Sequence, residues 1–510
     1  MLAAIRSAAV LGIDAYDVTV EVDSARGLPQ FTIVGLPAGA VKESRERVGA
    51  ALVNSGFMLP PRRITVNLAP ADTRKEGTAF DLPIAIGVLV ATGQLAAGAI
   101  SDLTFVGELG LDGSVRAMRG ALPVARRVVR DRGASLVLPR ANLVEAALVE
   151  SVRLIAPDSL MSLVADLRNG GPRVEGTSCV PRPYADAELD FSDVAGQESA
   201  KRALEVAAAG AHNLLLVGPP GAGKTMLARR LPTILPALTP EELLEVVAIQ
   251  SVAGLVDVGV GPRSERPFRA PHHSTSSAGL IGGGTTPRPG EVTLAHCGVL
   301  FLDEMLEFPR FVLDALRQPL EDGRVVISRA AASVTFPARF ALVGATNPCP
   351  CGKLGDPRGS CACPPSDVAR YRGRLSGPLS DRIDMHVAVG AVPVRDLGVP
   401  ARGEASVVIR DRVERARAIQ RERYASRRHL RDVDRCNGAA SGRWLDAHTP
   451  VETAARELLA SAAERLGLSA RGYHRVLKVA RTIADLEGAT PVAAPHVAEA
   501  LRYRTIDRGA

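Results

Sequence analysis

The chain has 510 residues, 46% of them hydrophobic and 23% charged, and its composition is that of a globular protein of about three domains. Aromatic residues make up only 4% of the chain, which argues against a binding surface built from many stacked aromatic rings. The formal net charge of +7, from 62 basic and 55 acidic side chains, favours a polyanionic partner without identifying one.

The first 100 residues contain no segment that we expect to direct the chain to a membrane. The N-terminal apolar run is interrupted by Arg6 and Asp14, unlike a signal peptide. The uncharged span from Leu82 to Ile100 contains three glycines, so it predicts a buried helix ending near Gly93 rather than a membrane span. We therefore expect a cytoplasmic protein with no membrane partner, whose seven cysteines serve as metal ligands or buried thiols rather than disulfides.

Residues 1–168 predict one α+β domain. Apolar and polar residues alternate from Val18 to Asp23 and from Arg63 to Leu68, which is typical of half-buried strands. The spacing from Val41 to Ser55 predicts an amphipathic helix, and Asp112-Gly113 predicts the turn of a hairpin. Shorter strands are predicted at Phe31 to Val34, Ser135 to Leu138 and Val152 to Ile155.

One run in this domain resembles the Lon-protease-like domain (S5 domain 2-like), in the form attached to bacterial recombination ATPases. The run is RKEGTAFDLP at 74–83, followed by VGEL at 106–109. Active Lon-type peptidases use a serine that is activated by a lysine. The matching positions here are Ala79 and, approximately, Val124, which cannot do that chemistry. The resemblance therefore implies a non-proteolytic scaffold that assembles subunits or contacts DNA.

Residues 169–189, rich in Gly, Pro and Ser, predict a linker, and residues 190–396 predict an α/β nucleotide-binding core. The core contains GPPGAGKT at 218–225, which fits the phosphate-loop pattern at every fixed position. An apolar strand is predicted before this loop and a helix after it, so that backbone N–H groups and a helix N-terminus can bind phosphate. We expect ATP to contact all eight residues: Gly218, Pro219, Pro220, Gly221, Ala222, Gly223, Lys224 and Thr225.

Within this loop, Lys224 is expected to reach the β- and γ-phosphates and Thr225 to ligate Mg²⁺. A second buried strand, GVLFLDE at 298–304, ends in Asp303 and Glu304, which is the Walker B pattern. Asp303 would hold Mg²⁺ through water, and Glu304 would polarise the water that attacks the γ-phosphate.

A third buried strand, FALVGATN at 340–347, ends in Asn347. Asn347 could orient the attacking water, as the sensor-1 residue of AAA+ ATPases does, or form a turn before Pro348. The motif SDRID at 380–384 follows. A similar motif in AAA+ proteins of the chelatase and helicase kinds places an arginine at the subunit boundary. Arg382 is therefore a candidate arginine finger acting on a neighbouring subunit, with a salt bridge to Asp381 or Asp384 as the alternative.

The segment between the phosphate loop and the Walker B strand contains adjacent histidines, His272 and His273. Neighbouring side chains do not share a helix face, so a pore-facing loop is favoured over a metal site. A hairpin is predicted from Gly323 to Phe336. Its arginines could contact a phosphate backbone, although a plain solvated hairpin is nearly as well supported.

Four cysteines follow Asn347 with the spacing C-x-C-x₉-C-x-C: Cys349, Cys351, Cys361 and Cys363. Four thiolates could close a tetrahedral Zn²⁺ site. The familiar zinc spacing is C-x₂₋₄-C, so buried or free thiols stay open as the alternative. The scattered Cys179, Cys297 and Cys436 are expected to be structural.

Residues 397–510 predict an all-α lid domain, with helices from Ala405 to Tyr424, from Val451 to Leu466 and from His474 to Asp485. The arginine-rich stretch from 410 to 435 predicts a solvated helix face or a DNA contact. The sequence LSARGY at 468–473 resembles a sensor-2 motif, which implies that Arg471 reaches ATP from the lid. On the same helix, Lys478 and Arg481 are expected at the surface.

These motifs together resemble the magnesium-chelatase-like AAA+ family, and the Lon-like domain in front resembles its YifB/ComM branch. The resemblance implies an ATP-driven hexameric motor that migrates branched or single-stranded DNA in recombination, notably the integration of transforming DNA, with recombination proteins as further partners. The alternative is a chelatase-type or remodelling ATPase that acts on a protein partner. A nucleotide-gated assembly module with little turnover is disfavoured, because Glu304, Asn347 and Arg382 are all present.

Overall fold

The computed structural model describes residues 1–73, 75–130, 135–169, 171, 174, 189–257, 261–284, 287–329, 332–355, 359–391, 403–425 and 435–504. Most of the predicted linker at 169–189, with Cys179, and the predicted boundary at 396–397 lie outside these residues. The described chain divides into two compact units. One comprises Met1–Pro183, Leu244–Arg263 and Ser328–Val334, and the other comprises Tyr184–Leu243, Ser264–Ile327 and Thr335–Ala510.

The N-terminal part of the chain folds into strands and helices in mixed order. Its strands are β1 (Leu2–Leu11), β2 (Asp14–Ala25), β3 (Gln30–Val34), β4 (Arg63–Ala69), β5 (Leu103–Phe105), β6 (Glu108–Leu109), β7 (Val115–Arg116), β8 (Ser135–Val137) and β9 (Arg153–Ile155). Its helices are α1 (Gly39–Lys42), α2 (Ser44–Asn54), α3 (Asp81–Ala91), α4 (Ala121–Val128), α5 (Leu143–Ala146) and α6 (Leu160–Arg168), with 3₁₀ turns at Ala97–Ile100 and Arg140–Asn142.

Seven of these strands form one sheet in the order β3-β4-β2-β1-β5-β8-β9. Strand β1 pairs antiparallel with β2 along the full length of β1, from Leu2 opposite Asp23 to Leu11 opposite Asp14. The sequence did not predict β1, because alanines occupy both its buried and its exposed positions and conceal the period of two. The predicted hairpin is confirmed, since β6 pairs with β7 around Gly113, which has a φ of 82°.

The uncharged span from Leu82 to Ile100 contains the buried helix that its sequence predicts. Every residue of α3 is buried, and the helix packs against β1 and β2. A Cβ at Gly87 would lie only 2.5 Å from a methyl carbon of Val22, so the absence of a side chain there allows this close packing. No helix among the described residues is long and apolar enough to cross a membrane.

From residue 189 onward the strands are β10 (Leu214–Val217), β11 (Phe268–Arg269), β12 (Gly282–Gly283), β13 (Arg288–Pro289), β14 (Val299–Leu302), β15 (Arg324–Arg329), β16 (Ala332–Pro337), β17 (Ala341–Thr346) and β18 (Met385–Ala388). The helices before the lid are α7 (Glu198–Gly210), α8 (Lys224–Ile234), α9 (Pro240–Ala253), α10 (Ser277–Ile281), α11 (Glu291–Leu294), α12 (Arg310–Asp314), α13 (Arg317–Asp322), α14 (Pro365–Arg372) and α15 (Gly377–Ser380). The remaining helices are α16 (Ser406–Tyr424), α17 (Gly442–His448), α18 (Thr453–Leu466), α19 (Ala470–Leu486) and α20 (Ala494–Arg502), and 3₁₀ turns lie at Phe191–Asp193 and Met305–Glu307.

A five-stranded sheet in the order β11-β14-β17-β10-β18 forms the core of the second unit. Every neighbouring pair is parallel, which explains the continuous apolar runs, because such a sheet is buried on both faces. The sequence predicted β10, β14 and β17, as well as the two-stranded sheet of β15 and β16, but neither of the short edge strands, β11 and β18. Ligands of such sheets bind at the carboxyl ends of the strands.

The lid helices correct the expectation that Arg481 is a surface charge. Arg481 is only 1% exposed, and its Nε donates to Asp485 at 3.1 Å. Residues four apart share a helix face, so both side chains turn inward, where the ion pair compensates the burial of each charge. Lys478 is half-buried and donates to the carbonyl oxygen of Gly438 at 2.9 Å.

Residues 426–434 of the predicted arginine-rich stretch lie outside the described residues, and its described part is neither wholly solvated nor wholly available to DNA. Arg412 donates to Glu205 and Arg417 donates to the carbonyl oxygen of Ala208. Arg423 donates to Asp485 at 2.9 Å. These arginines therefore fasten α16 to the rest of its unit. The whole chain has a mixed α/β architecture with a parallel-sheet core and a helical C-terminal region.

Candidate active site

The phosphate loop lies between the end of β10 and the start of α8, as its sequence predicts. Gly221 and Gly223 have φ values of 74° and 84°, a left-handed conformation that glycine adopts readily. A Cβ at Gly218 would overlap the carbonyl oxygen of Val389, just after β18. The loop thus requires glycine for two reasons, and it presents its amides at a helix N-terminus, where anions bind.

Lys224 is held inside the loop by three hydrogen bonds. Its Nζ donates to the carbonyl oxygens of Gly218 and Pro219 at 2.7 and 3.0 Å, and to Oδ1 of Asn347 at 3.1 Å. Burial lowers the pKa of Lys224, while the charges of Asp303 and Glu304 oppose that shift. The ammonium therefore lies among oxygen acceptors at the place where phosphate oxygens are expected.

Gln197 is a residue of this site that the sequence reasoning missed. It precedes α7 in a left-handed conformation with a φ of 59°, and its Nε2 donates to the carbonyl oxygen of Ala222 in the phosphate loop. It lies at the end of the run DVAGQ at 193–197, which carries no phosphate-loop pattern of its own.

Thr225 and Asp303 face each other as Mg²⁺ ligands would. The Thr225 hydroxyl donates to Oδ2 of Asp303 at 2.7 Å. Neighbouring oxygens around an octahedral Mg²⁺, with bonds of about 2.1 Å, are about 3 Å apart. The pair could therefore hold one Mg²⁺ ion, with the Thr225 hydroxyl and the Asp303 carboxylate as the groups that would bind it directly or through water.

Glu304 is placed by an uncommon backbone conformation directly after β14. Its φ is 49°, which is rare for a residue with a side chain and often marks a functional site. Its side chain is 59% exposed, and its Oε2 lies 3.7 Å from Nδ1 of His273. The ring of His273 lies against that of His272, tilted by 35° with centroids 4.0 Å apart, so the histidine pair lies beside the catalytic candidate. No local pattern in the sequence indicates this proximity.

The register of the sheet brings these residues to one edge, the one formed by the carboxyl ends of its strands. Val217 of β10 is opposite Thr346 of β17, and Leu302 of β14 is opposite Gly344. The next residues along each strand are the phosphate loop, Asn347 and Asp303. One edge of the sheet therefore holds a phosphate-binding loop, two carboxylates and an amide, the groups that hydrolysis of a nucleotide requires.

Arg382 lies at the other edge of the same sheet, the one formed by the amino ends of its strands. It precedes β18, whereas its own phosphate loop follows β10, and these two strands are parallel with Leu214 opposite Met385. Its side chain donates to the carbonyl oxygen of Pro378 at 2.7 Å and pairs with Glu321. The salt bridge therefore differs from the predicted alternatives, Asp381 and Asp384.

Arg471 is exposed in the first turn of α19, which begins at an N-cap where Ser469 accepts from the backbone of Gly472 at 3.1 Å. One turn later along the helix, Nε of Arg475 lies 3.7 Å from Oδ1 of Asp384. The described contacts thus connect this end of α19 to the segment before β18. The role of Arg471 at bound ATP stays a prediction.

The four cysteines after Asn347 form a single cluster, and their sulfur atoms all lie within 4.8 Å of one another. None forms a disulfide. A hydrogen bond from the backbone of Lys353, together with those of neighbouring thiols, lowers the pKa of Cys351 to about 6. The cluster has the composition and the spacing to hold a metal ion.

Comparison with known proteins identifies the family of the chain. The family model for magnesium chelatase, subunit ChlI, matches residues 190–397, and two further models for subunit ChlI and its C-terminal part match 20–142 and 403–504. The chain is 44% identical to competence protein ComM of Haemophilus influenzae, over 99% of this chain and 98% of that protein. It is 42% identical to the uncharacterized protein YifB of Salmonella typhimurium, again over 99% and 98%. The chain belongs to the magnesium-chelatase-like ComM/YifB family.

Membership of this AAA+ family implies an ATPase that uses ATP and Mg²⁺, and such proteins typically form oligomers. The magnesium-chelatase 38 kDa subunit of Cereibacter sphaeroides is 29% identical but covers only 31% of this chain. The similarity to ComM and YifB extends over almost the whole chain. The predicted branch of the family is therefore confirmed.

Replacing Lys224 with alanine is expected to weaken ATP binding by at least about 100-fold, because charge-assisted hydrogen bonds to phosphate are lost. Titration of a fluorescent ATP analogue measures the change. Arg229→Ala is the matched control, since Arg229 is an exposed cation on the same helix, α8. Binding by the Lys224 variant within about threefold of the control would contradict the assignment of the loop.

Proposed function

We propose that the protein is a hexameric, ATP-driven motor that moves branched or single-stranded DNA during recombination. The observation that carries this proposal is the division of the site: the phosphate loop, two carboxylates and an amide share one edge of the sheet, and Arg382 lies at the other. The resident ions would be Mg²⁺ at Thr225 and Asp303 and a structural Zn²⁺ at the cysteine cluster.

The position of Arg382 supports assembly into a ring. The four paired residues from Leu214 to Val217 and from Met385 to Ala388 separate the two edges by about 13 Å. The Arg382 side chain moreover bonds to Pro378 and Glu321 of its own chain. An arginine so placed could act on ATP held by another subunit, and head-to-tail contacts of this kind give a ring when their rotation closes, as we propose here.

Action on DNA is supported by three observations of different kinds. The net charge of +7 favours a polyanion. On β15, Arg324 and Val326 are exposed while Val325 and Ile327 are buried, so the strand presents a cation to solvent. The relative at 44% identity is named as a competence protein, which suggests work on incoming DNA.

The first 168 residues would then be a Lon-like domain without peptidase activity. Val124 is fully buried in α4, and neither it nor Ala79 carries a group that could serve in a Ser–Lys dyad. We assign this domain to subunit assembly or DNA contact. Peptidase activity that disappears on changing one serine or lysine within 1–168 would overturn the assignment.

The alternative is an ATPase that remodels a protein partner, and it is favoured by the family models named for magnesium chelatase. The two functions differ in what stimulates turnover. Only a DNA motor should respond to DNA and move strands.

We expect ATP hydrolysis to rise at least about fivefold with a Holliday junction or single-stranded DNA at 50 mM salt, and to lose most of this response at 200 mM, because salt weakens phosphate contacts steeply. A labelled junction should also be separated into its component duplexes by branch migration that requires ATP. The Lys224→Ala variant is the inactive control. A chain that hydrolyses ATP but shows neither stimulation nor strand movement at low salt would point to the protein partner.

A further inference from the structure

The loop that carries the four cysteines also contacts the phosphate loop. Cys349 follows Asn347 by two residues, and a Cβ at Gly352 would lie 2.5 Å from Cδ of Pro220 and 3.8 Å from Cγ of Asn347. The turn at Gly352, which has a φ of 76°, therefore packs directly against the nucleotide site. We propose that a Zn²⁺ ion bound by Cys349, Cys351, Cys361 and Cys363 fixes Asn347 and Pro220 in the geometry needed for hydrolysis.

The sulfur positions fit a tetrahedral ion. Zn–S bonds of about 2.3 Å place neighbouring sulfurs about 3.8 Å apart. Here the separations are 3.4 Å for Cys349 and Cys351, and 3.6 Å from Cys361 to each of these two. Cys363 completes the set within 4.8 Å. Four thiolates in this arrangement select Zn²⁺ or iron over harder ions.

The backbone around the cluster also donates hydrogen bonds to the sulfur atoms, as it does around metal-bound thiolates. The N–H of Lys353 bonds to the sulfur of Cys351, and the N–H of Cys363 donates to the sulfur of Cys361 at 3.4 Å. Both bonds run from residue i+2 to the sulfur of residue i. Such N–H···S bonds orient metal-bound thiolates and stabilise their charge, so each C-x-C pair supplies a ligand already aimed at the centre.

Both ends of the cysteine loop are fastened close to the ATP site. The loop begins at Pro348, whose carbonyl oxygen accepts from Nε of Arg372 at 3.3 Å. It ends at Cys363, directly before α14, the helix that contains Arg372. A metal ion that joins the two C-x-C pairs therefore sets the path of the chain that leaves β17, and with it the position of Asn347, which accepts from Lys224.

Metal content tests the site itself. The full-length chain and its Cys179→Ser variant, which keeps all four ligands, are expected to carry about one Zn²⁺ per chain after gel filtration with a chelator. The Cys361→Ser/Cys363→Ser double variant should carry at least about tenfold less. Iron in place of zinc, no metal in the unaltered chain, or equal zinc in the double variant would each overturn the proposal.

A glycine pair tests the link to hydrolysis without removing a ligand. Gly352 and Gly355 have nearly equal φ values of 76° and 74°, but a Cβ at Gly355 would meet nothing within 4 Å. Gly352→Ala should retain zinc and lower kcat by about tenfold or more, with a smaller change in KM, because Pro220 of the phosphate loop must move. Gly355→Ala carries the same backbone strain without the Pro220 contact and should keep a higher kcat. Equal kcat values for the two variants would refute the link.

The proposal depends on the proposed function only through the ATPase readout, which is measured without DNA. Failure to move DNA would therefore leave zinc content and the contrast between the glycine variants unchanged. Conversely, a metal-free chain that migrates DNA would refute the zinc site and leave the motor intact.

Discussion

Glu304→Gln is expected to bind ATP as tightly as the unaltered chain and to hydrolyse it at least about 100-fold more slowly. The amide has nearly the shape of the carboxylate but cannot accept a proton from the attacking water or polarise it, and such a loss costs about 10²- to 10⁴-fold. Binding should persist, because Lys224 and the pair of Thr225 and Asp303 are unchanged. Equilibrium titration and single-turnover hydrolysis separate the two effects.

The matched control for this variant is Glu307→Gln, which removes a carboxylate three residues away. Glu307 lies in the 3₁₀ turn after β14 and pairs with Arg374 at 2.9 Å, so its loss affects local structure without touching the nucleotide. We expect its turnover to stay within about threefold of normal, as for other changes to surface ion pairs. If both variants turn over at the rate of the unaltered chain, another group must activate the water.

The residues whose positions in the fold the sequence predicted are those whose signal is local. The phosphate loop needs glycines at fixed spacing because particular φ values are required there. Asp303 and Asn347 each follow a short apolar run, whose length is that of one buried strand. Because parallel strands present their carboxyl ends together, the order of these motifs along the chain is enough to place them at one edge.

What sequence missed depends on contacts between distant parts of the chain. His273 reaches Glu304 across thirty-one positions, and nothing around either residue shows it. Arg481 has the sequence context of a surface cation, and only the folded lid brings Asp485 and Arg423 together with it in the interior. Strand β18 was missed because four residues carry too little period to distinguish a strand from a loop.

Arg382→Ala is expected to retain ATP binding and to lower hydrolysis by about 1,000-fold or more, the usual cost of losing an arginine that stabilises the transferring phosphoryl group. Binding should be spared, because the phosphate loop and its Mg²⁺ ligands lie at the opposite edge of the sheet. The same side chain pairs with Glu321 within the chain, so loss of turnover could also follow from local disturbance. Glu321→Gln breaks that pair while leaving the arginine, and it should keep nearly full turnover; a loss as large as that of Arg382→Ala would favour a structural role.

Mixing the inactive Arg382→Ala and Lys224→Ala subunits decides whether the arginine acts across a boundary. An Arg382→Ala subunit offers an intact phosphate loop, and a Lys224→Ala neighbour offers an intact arginine. In randomly mixed rings about one quarter of the head-to-tail interfaces would combine the two, so hydrolysis should reappear on mixing. If Arg382 served its own nucleotide, every subunit in the mixture would lack one essential group and hydrolysis would stay absent. Normal turnover by Arg382→Ala alone would show instead that no finger is needed at this position.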